Sequence, residues 1–230
     1  MRIRSFIVAY ALVLAILLFA DRRPDPTQQD RYSHVLDLTV GPTATRAPSP
    51  ESSTRIIAPG DLIPGTWAAG QIPSERLVAP LVVLDAKPDL NPDLSSDLNG
   101  AQPGSRQISL DDIAAWETRH GVIPPGSVVA IRCAGAPDHA PDPAAALPIA
   151  RDAAQFLIDA RNTIGFAVET PVNLASDRAL ARQIALRGNY VVESAARFTS
   201  LPATGSLVIV APEKGKKRGE APVRVLAMVR

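Results

Sequence analysis

Side-chain chemistry needs nucleophiles, proton carriers or metal ligands, and this sequence is sparing with all of them. Its histidines are His34, His120 and His139, and its single cysteine is Cys133. His139 and Cys133 stand six residues apart. That offers two ligands, whereas a structural zinc site closes with about four. One cysteine also excludes an internal disulfide. His34 precedes an apolar stretch, His120 closes a helical one and His139 lies among prolines, so each reads as a solvated or hydrogen-bonded side chain. Cys133 reads as a small buried residue at a strand end. No G-x-S-x-G turn, glycine-rich phosphate loop or Cys–His pair in a recognisable context occurs. The 24 basic and 23 acidic residues leave a net charge of +1. Such a balance gives no long-range field for drawing in nucleic acid, and no nucleic-acid partner is expected.

The elements that would hold a site are clearer. Hydrophobic residues make up 46% and aromatic ones 4%, so Val, Ala, Leu and Ile must build the core. "HVLDLTV" (His34–Val40), "LVVLDA" (Leu81–Ala86), "GSVVAIRC" (Gly126–Cys133), "IGFAVE" (Ile164–Glu169), "YVVES", "SLVIVAP" and the final "PVRVLAMV" read as strands. Pro73–Leu77 suits one helical turn with Pro at its start. Ser109 is placed to cap a helix that Gly121 ends, with Ile113 and Trp116 on one face and Leu110 beside them. Ile149–Arg161 reads as an amphipathic helix with Ala153, Phe156, Leu157 and Ala160 inward. Ser176–Arg187 reads as a third helix, capped by Ser176 and ended by Gly188. Thr43–Ser53, Lys87–Gln107 and Ala134–Pro148 are loops. Strands alternating with helices imply an α/β domain on a mixed sheet.

The first residues stand apart. Arg2 and Arg4 precede the apolar run Ser5–Ala20, and Asp21, Arg22 and Arg23 follow it. The pattern fits a secretory signal, and an uncleaved membrane anchor is the alternative, although a full span takes roughly 20 residues. Residues 1–20 are therefore assigned to signal or anchor, 21–33 to a linker and 34–230 to the folded domain, exported or held at the inner membrane facing the periplasm. Lys214, Lys216, Lys217 and Arg218 read as a solvated hairpin tip, with contact to anionic lipid or a partner as the other reading.

Several blocks, in this order, resemble the cyclase family that includes the bacterial kynurenine formamidases. "DLTV" (Asp37–Val40) is similar to the family's opening D-L-T-H. Glu51–Asp61, "ESSTRIIAPGD", is similar to H-x-G-T-H-x-D-x-P-x-H, with Thr54 and Pro59 in place. "IPSERLVAPLVVLDA", "IPPGSVVAIRCAG", "NYVVESAARFTSLPATGSLVIVAP" and "APVRVLAMV" are similar to later blocks, so the likeness spans roughly Val35 to Val229. It implies a cyclase-like core of mixed sheet, barrel-like, with flanking helices. It also implies zinc or manganese activating a water for attack on an amide carbonyl, and a homo-oligomer.

The residues at the metal positions depart from that pattern. The motif's first histidine is Glu51, its second is Arg55, its aspartate is Ile57 and its last histidine is Asp61. The later histidine falls near Ala181, and only the glutamate remains, as Glu193. The family's D-T-x-S-x-D stretch resembles Glu169–Leu174. No metal is expected, Glu193 being the sole retained ligand. The degenerate-site candidates are Glu51, Arg55, Asp61 and Glu193. Arg55 would supply the missing positive charge by holding Glu193, and Asp61 as well, through its planar fork. The alternatives are a solvated loop in which Arg55 and Asp61 meet nothing, and a hard-cation site of Glu51, Asp61 and Glu193. Trp67, just after the motif, is a candidate pocket wall for a small aromatic or amide ligand. The expected function is a catalytically degenerate binding or partner protein. An active amide hydrolase for N-formylkynurenine-type substrates with a rebuilt metal site is the alternative.

Overall fold

The four apolar runs between residues 78 and 193 become the parallel half of the sheet. A computed structural model of the chain describes residues 32–41, 53–86, 107–133, 146–215 and 221–230. Strands β3 (Val78–Ala86), β4 (Val128–Cys133), β5 (Gly165–Val168) and β6 (Tyr190–Glu193) lie side by side and parallel. Their unbroken Val, Ile, Leu and Ala content suits strands covered on both faces. The crossovers between them carry α2 (Leu110–His120), α3 (Arg151–Ala160) and α4 (Arg178–Leu186). The antiparallel remainder closes the circuit. Strand β7 (Ser206–Pro212) pairs with β3 and β8 (Ala221–Val229), and β2 (Arg55–Ile57) joins β8 to β6. The ring β8-β2-β6-β5-β4-β3-β7 is a seven-stranded barrel, and β1 (His34–Asp37) pairs with β8 beyond β2. Closure leaves few exposed strand edges. This is the mixed, barrel-like sheet with flanking helices that the sequence led one to expect.

Period-two alternation divides the core in two. Leu81, Val83, Val128, Ala130, Ala167, Tyr190, Val192, Val223 and Val225 fill the barrel. Val82, Leu84, Val129, Ile131, Phe166, Val168 and Val191 face outward under Ile113, Trp116, Leu157 and Ile184 of the helices. Inside, the buried Tyr190 ring crosses Gly165 so closely that a Cβ there would stand 2.7 Å from Cε2. Only glycine fits at that point. Trp116 is core, as its spacing implied, and its indole Nε1 donates to Val83 O at 2.9 Å.

The start of α2 follows its expected capping chemistry, and the cap of α4 needs one correction. Ser109 Oγ accepts from Asp112 N while Asp112 Oδ2 accepts from Ser109 N, a reciprocal capping box. Helix α4 is capped by Asp177, not Ser176: Asp177 Oδ1 accepts from Ala179 N and Leu180 N. A carboxylate there also meets the positive end of the helix. Ser176 instead belongs to a 3₁₀ turn, Leu174–Asp177, that Asn173 caps through Ala175 N. On α3 the buried stripe is Ala153, Ala154, Leu157 and Ile158. Ala160 is exposed and Phe156 is half-buried below the Arg161 guanidinium. The stripe is rotated because α3 packs against both α2 and α4. The turn at Ser74–Arg76 forms as 3₁₀. Strand β2 and the short helix α1 (Pro59–Leu62) have no counterpart in the sequence reading.

The apolar run Ser5–Ala20, Glu51, His139 and residues 216–218 of the basic run lie outside the described residues. Among the described residues, no helix is long and apolar enough to cross a membrane.

Candidate functional site

Strand β2 sets the first half of the site. It pairs antiparallel with β6, with Arg55 opposite Glu193, Ile56 opposite Val192 and Ile57 opposite Val191. Side chains directly opposite each other have Cβ atoms about 4.5–5.5 Å apart. Ile56 and Val192 point into the barrel while Ile57 and Val191 face the helices. By alternation Arg55 and Glu193 therefore share the helix-facing side. Glu193 is buried, and its Oε2 accepts from Val172 N at 2.9 Å. The stretch Glu169–Leu174 thus folds back onto the end of β6. Thr54, fully buried, fastens the junction: its Oγ1 accepts from Val40 N and donates to Ser194 O, each at 2.7 Å. The motif segment and Glu193, far apart in sequence, are neighbours.

The other candidates are placed differently. Asp61 sits in α1, and its Oδ2 accepts from Ala58 N at 2.9 Å, closing the start of its own helix. Because β2 runs antiparallel to β6, the chain from Arg55 to Asp61 moves away from Glu193, and α1 packs on α4. Ala181, near the expected position of the later histidine, lies in the outer core with Ile57 and Val191. Trp67 stands apart from Glu193. Its ring lies against Gly188 and under Arg76, just before β6 begins. Glu193 ends that strand, about 10 Å of strand rise beyond Tyr190.

A second polar group at the carboxyl ends of the parallel strands escaped the sequence reading. Asp85 and Arg132 are register neighbours on β3 and β4, and Glu169 follows β5. Alternation points all three into the barrel mouth, since Val83, Ala130 and Ala167 point inward. Arg132 Nε donates to Asp85 Oδ1, and its Nη1 donates to Phe198 O at 3.0 Å. Phe198 N donates to Glu169 Oε1 at 3.2 Å, so the cluster grips the turn whose buried Phe198 stoppers the barrel. Burial pushes the Glu169 carboxyl above its ordinary value, against the pull of Phe198 N and Arg132. Burial, reinforced by the Glu169 charge, also pushes the Cys133 thiol up, which disfavours the thiolate that a nucleophile requires. The readable signal was a charged residue ending each of three successive apolar runs.

The family resemblance implies a metal, and the described residues do not supply its ligand set. Among them no three His, Cys, Asp or Glu side chains converge. Glu193 faces an arginine position, Ala181 offers no donor, and Asp61 is engaged by its own helix.

Comparison with known proteins places the fold. The family profile described as "Cyclase: Putative cyclase" matches residues 26–173. Among solved structures, isatin hydrolase A from Labrenzia aggregata, bound to benzyl benzoate, is similar with a TM-score of 0.60 and 24% identity, over 90% of this chain and 88% of that one. Isatin hydrolase A from Ralstonia solanacearum gives 0.59 and 23%, over 90% and 86%. A protein described as a potential metal-dependent hydrolase with cyclase activity gives 0.56 and 22%, over 86% and 98%. No curated protein matches the chain. The matched span and the shared barrel together show that the chain belongs to the cyclase family of hydrolase-like proteins.

Proposed function

We propose that the chain is a catalytically silent member of this family that acts by binding, exported or anchored, on a small aromatic or amide ligand or as a homo-oligomeric partner. In this reading the guanidinium of Arg55 replaces the charge of the absent metal and holds Glu193. The observation that carries it is the strand register setting Arg55 opposite the buried Glu193. A buried carboxylate without a compensating charge or donors is costly. The Val172 amide supplies one donor, and a guanidinium fork would supply the charge.

The competing reading is an active amide hydrolase with a rebuilt site. It draws on the likeness to isatin hydrolases and on Glu169, a carboxyl with raised proton affinity at the barrel mouth. Hydrolysis of an N-formyl aryl amine by the purified domain, with zinc or manganese added, separates the two. The silent reading expects no turnover above buffer. Turnover abolished by Glu193→Gln overturns it. Membrane fractionation of the full chain and size-exclusion chromatography of residues 34–230 test the anchoring and assembly parts.

A further inference from the structure

Arg76 has no place in the Arg55–Glu193 account, yet it is a heavily organised cation. It ends the 3₁₀ turn before β3, and its guanidinium is half-buried. Nη2 donates to Asn189 Oδ1 at 2.9 Å and to Arg187 O at 3.4 Å. Asn189 is buried and is fixed in turn by donating Nδ2 to Thr163 O at 2.7 Å. The backbone is held as well, since Tyr190 OH donates to Arg76 O at 2.9 Å. The guanidinium lies over the Trp67 ring, 5.7 Å from its centroid, and that ring is 39% exposed.

What the cation lacks is a counter-charge. Among the described residues no carboxylate is paired with it. Its Nε is buried with no acceptor, and no acceptor takes a bond from Nη1. The carbonyl at the end of α4 offsets part of the charge, as a helix C-terminus does for a cation. A pre-oriented, weakly hydrated guanidinium with donors to spare, beside an exposed indole, matches a planar carboxylate on an aromatic ring.

We infer that Arg76, with Trp67 and Asn189, forms a binding site for an aromatic carboxylate at the amino end of β6. The carboxylate takes the open Nη1 donors of Arg76, which burial does not close off as it does Nε, and the ring lies against the exposed part of Trp67. The site is separate from Glu193 and does not depend on whether the chain is catalytically silent.

The test uses the two indole N–H signals of the intact folded chain in a two-dimensional proton–nitrogen NMR spectrum, assigned with Trp67→Phe. Benzoate is the probe and benzyl alcohol its neutral counterpart. Trp116, buried under α2 on the far side of β3, is the internal reference. Benzoate should move the Trp67 signal saturably while Trp116 stays still, and benzyl alcohol should leave both unmoved. Arg76→Gln should weaken benzoate roughly tenfold or more, the loss of one charge-assisted contact. Arg76→Lys, which keeps the charge but not the fork, should fall between. Absence of a saturable shift in the native chain overturns the site, as does an equal response to benzyl alcohol or an unchanged affinity in Arg76→Lys and Arg76→Gln. If Arg76→Gln does not fold, Arg76→Lys and the benzyl alcohol arm decide the matter.

Discussion

At the residue scale, two side chains carry the account and each has a measurable consequence. Thr54 spans three segments through one hydroxyl. Thr54→Val keeps the shape but strands Val40 N and Ser194 O, and should cost about 2 kcal/mol in denaturant unfolding. Arg55 is tested by coupling. If it holds Glu193, Arg55→Leu should cost about 3 kcal/mol near neutral pH by leaving a buried charge uncompensated. Glu193→Gln in the same chain should recover much of that loss. Strictly additive effects would argue that the two side chains ignore each other. The motif frame that singled out these residues survives in Thr54 and in the meeting of β2 with β6. It could not foretell that Asp61 would help close its own helix start, because a helix of four residues leaves no periodic trace. Nor could it find Arg76, whose significance lies in which acceptors are missing around it.

At the element scale, the parallel strands were legible because strands covered on both faces are written as unbroken apolar runs. Helix α2 was legible through its cap and its glycine stop, and α3 through its apolar periodicity. Strand β2 was not, because three residues between Thr54 and Pro59 are too few for alternation to register. The cap of α4 was misplaced by one residue, since Ser176 and Asp177 are both good capping types and only the 3₁₀ turn before the helix decides between them. Asp177→Ala should therefore cost about 1 kcal/mol, more than Ser176→Ala, in thermal or denaturant unfolding. The turn after α4 makes a sharper demand. Gly188 has φ +69°, and a Cβ there would lie 2.8 Å from Cζ3 of Trp67. Gly188→Ala should lose more than about 1 kcal/mol and shift Trp67 fluorescence, as the indole must move.

At the scale of the whole molecule, closing the sheet creates a mouth where the strand-end charges Asp85, Arg132 and Glu169 collect, and this gives stability a pH signature. The Glu169 carboxyl is raised above its ordinary value of 4.5, mainly by burial. Between that value and its higher folded value the native state holds more protons than the unfolded chain, so this group's contribution to stability falls as pH rises through the window. Glu117 has the opposite sign. Its hydrogen bonds from Arg161 lower its carboxyl, so its contribution is present above 4.5 and is lost as pH falls through the folded value. Glu169→Gln should thus compare more favourably with the native chain at about pH 7 than at about pH 4, and Glu117→Gln less favourably. A pH-independent difference for both would show that neither carboxyl changes its proton affinity on folding.

In the proposed reading, a family scaffold associated with metal-dependent chemistry balances its buried carboxylate with an arginine instead. The most direct measurement is metal content by elemental mass spectrometry, on protein produced with zinc and manganese in excess and then desalted. The account expects far less than one metal ion per chain, unchanged by Glu193→Gln. One tightly held zinc or manganese per chain, lost in Glu193→Gln, would contradict it.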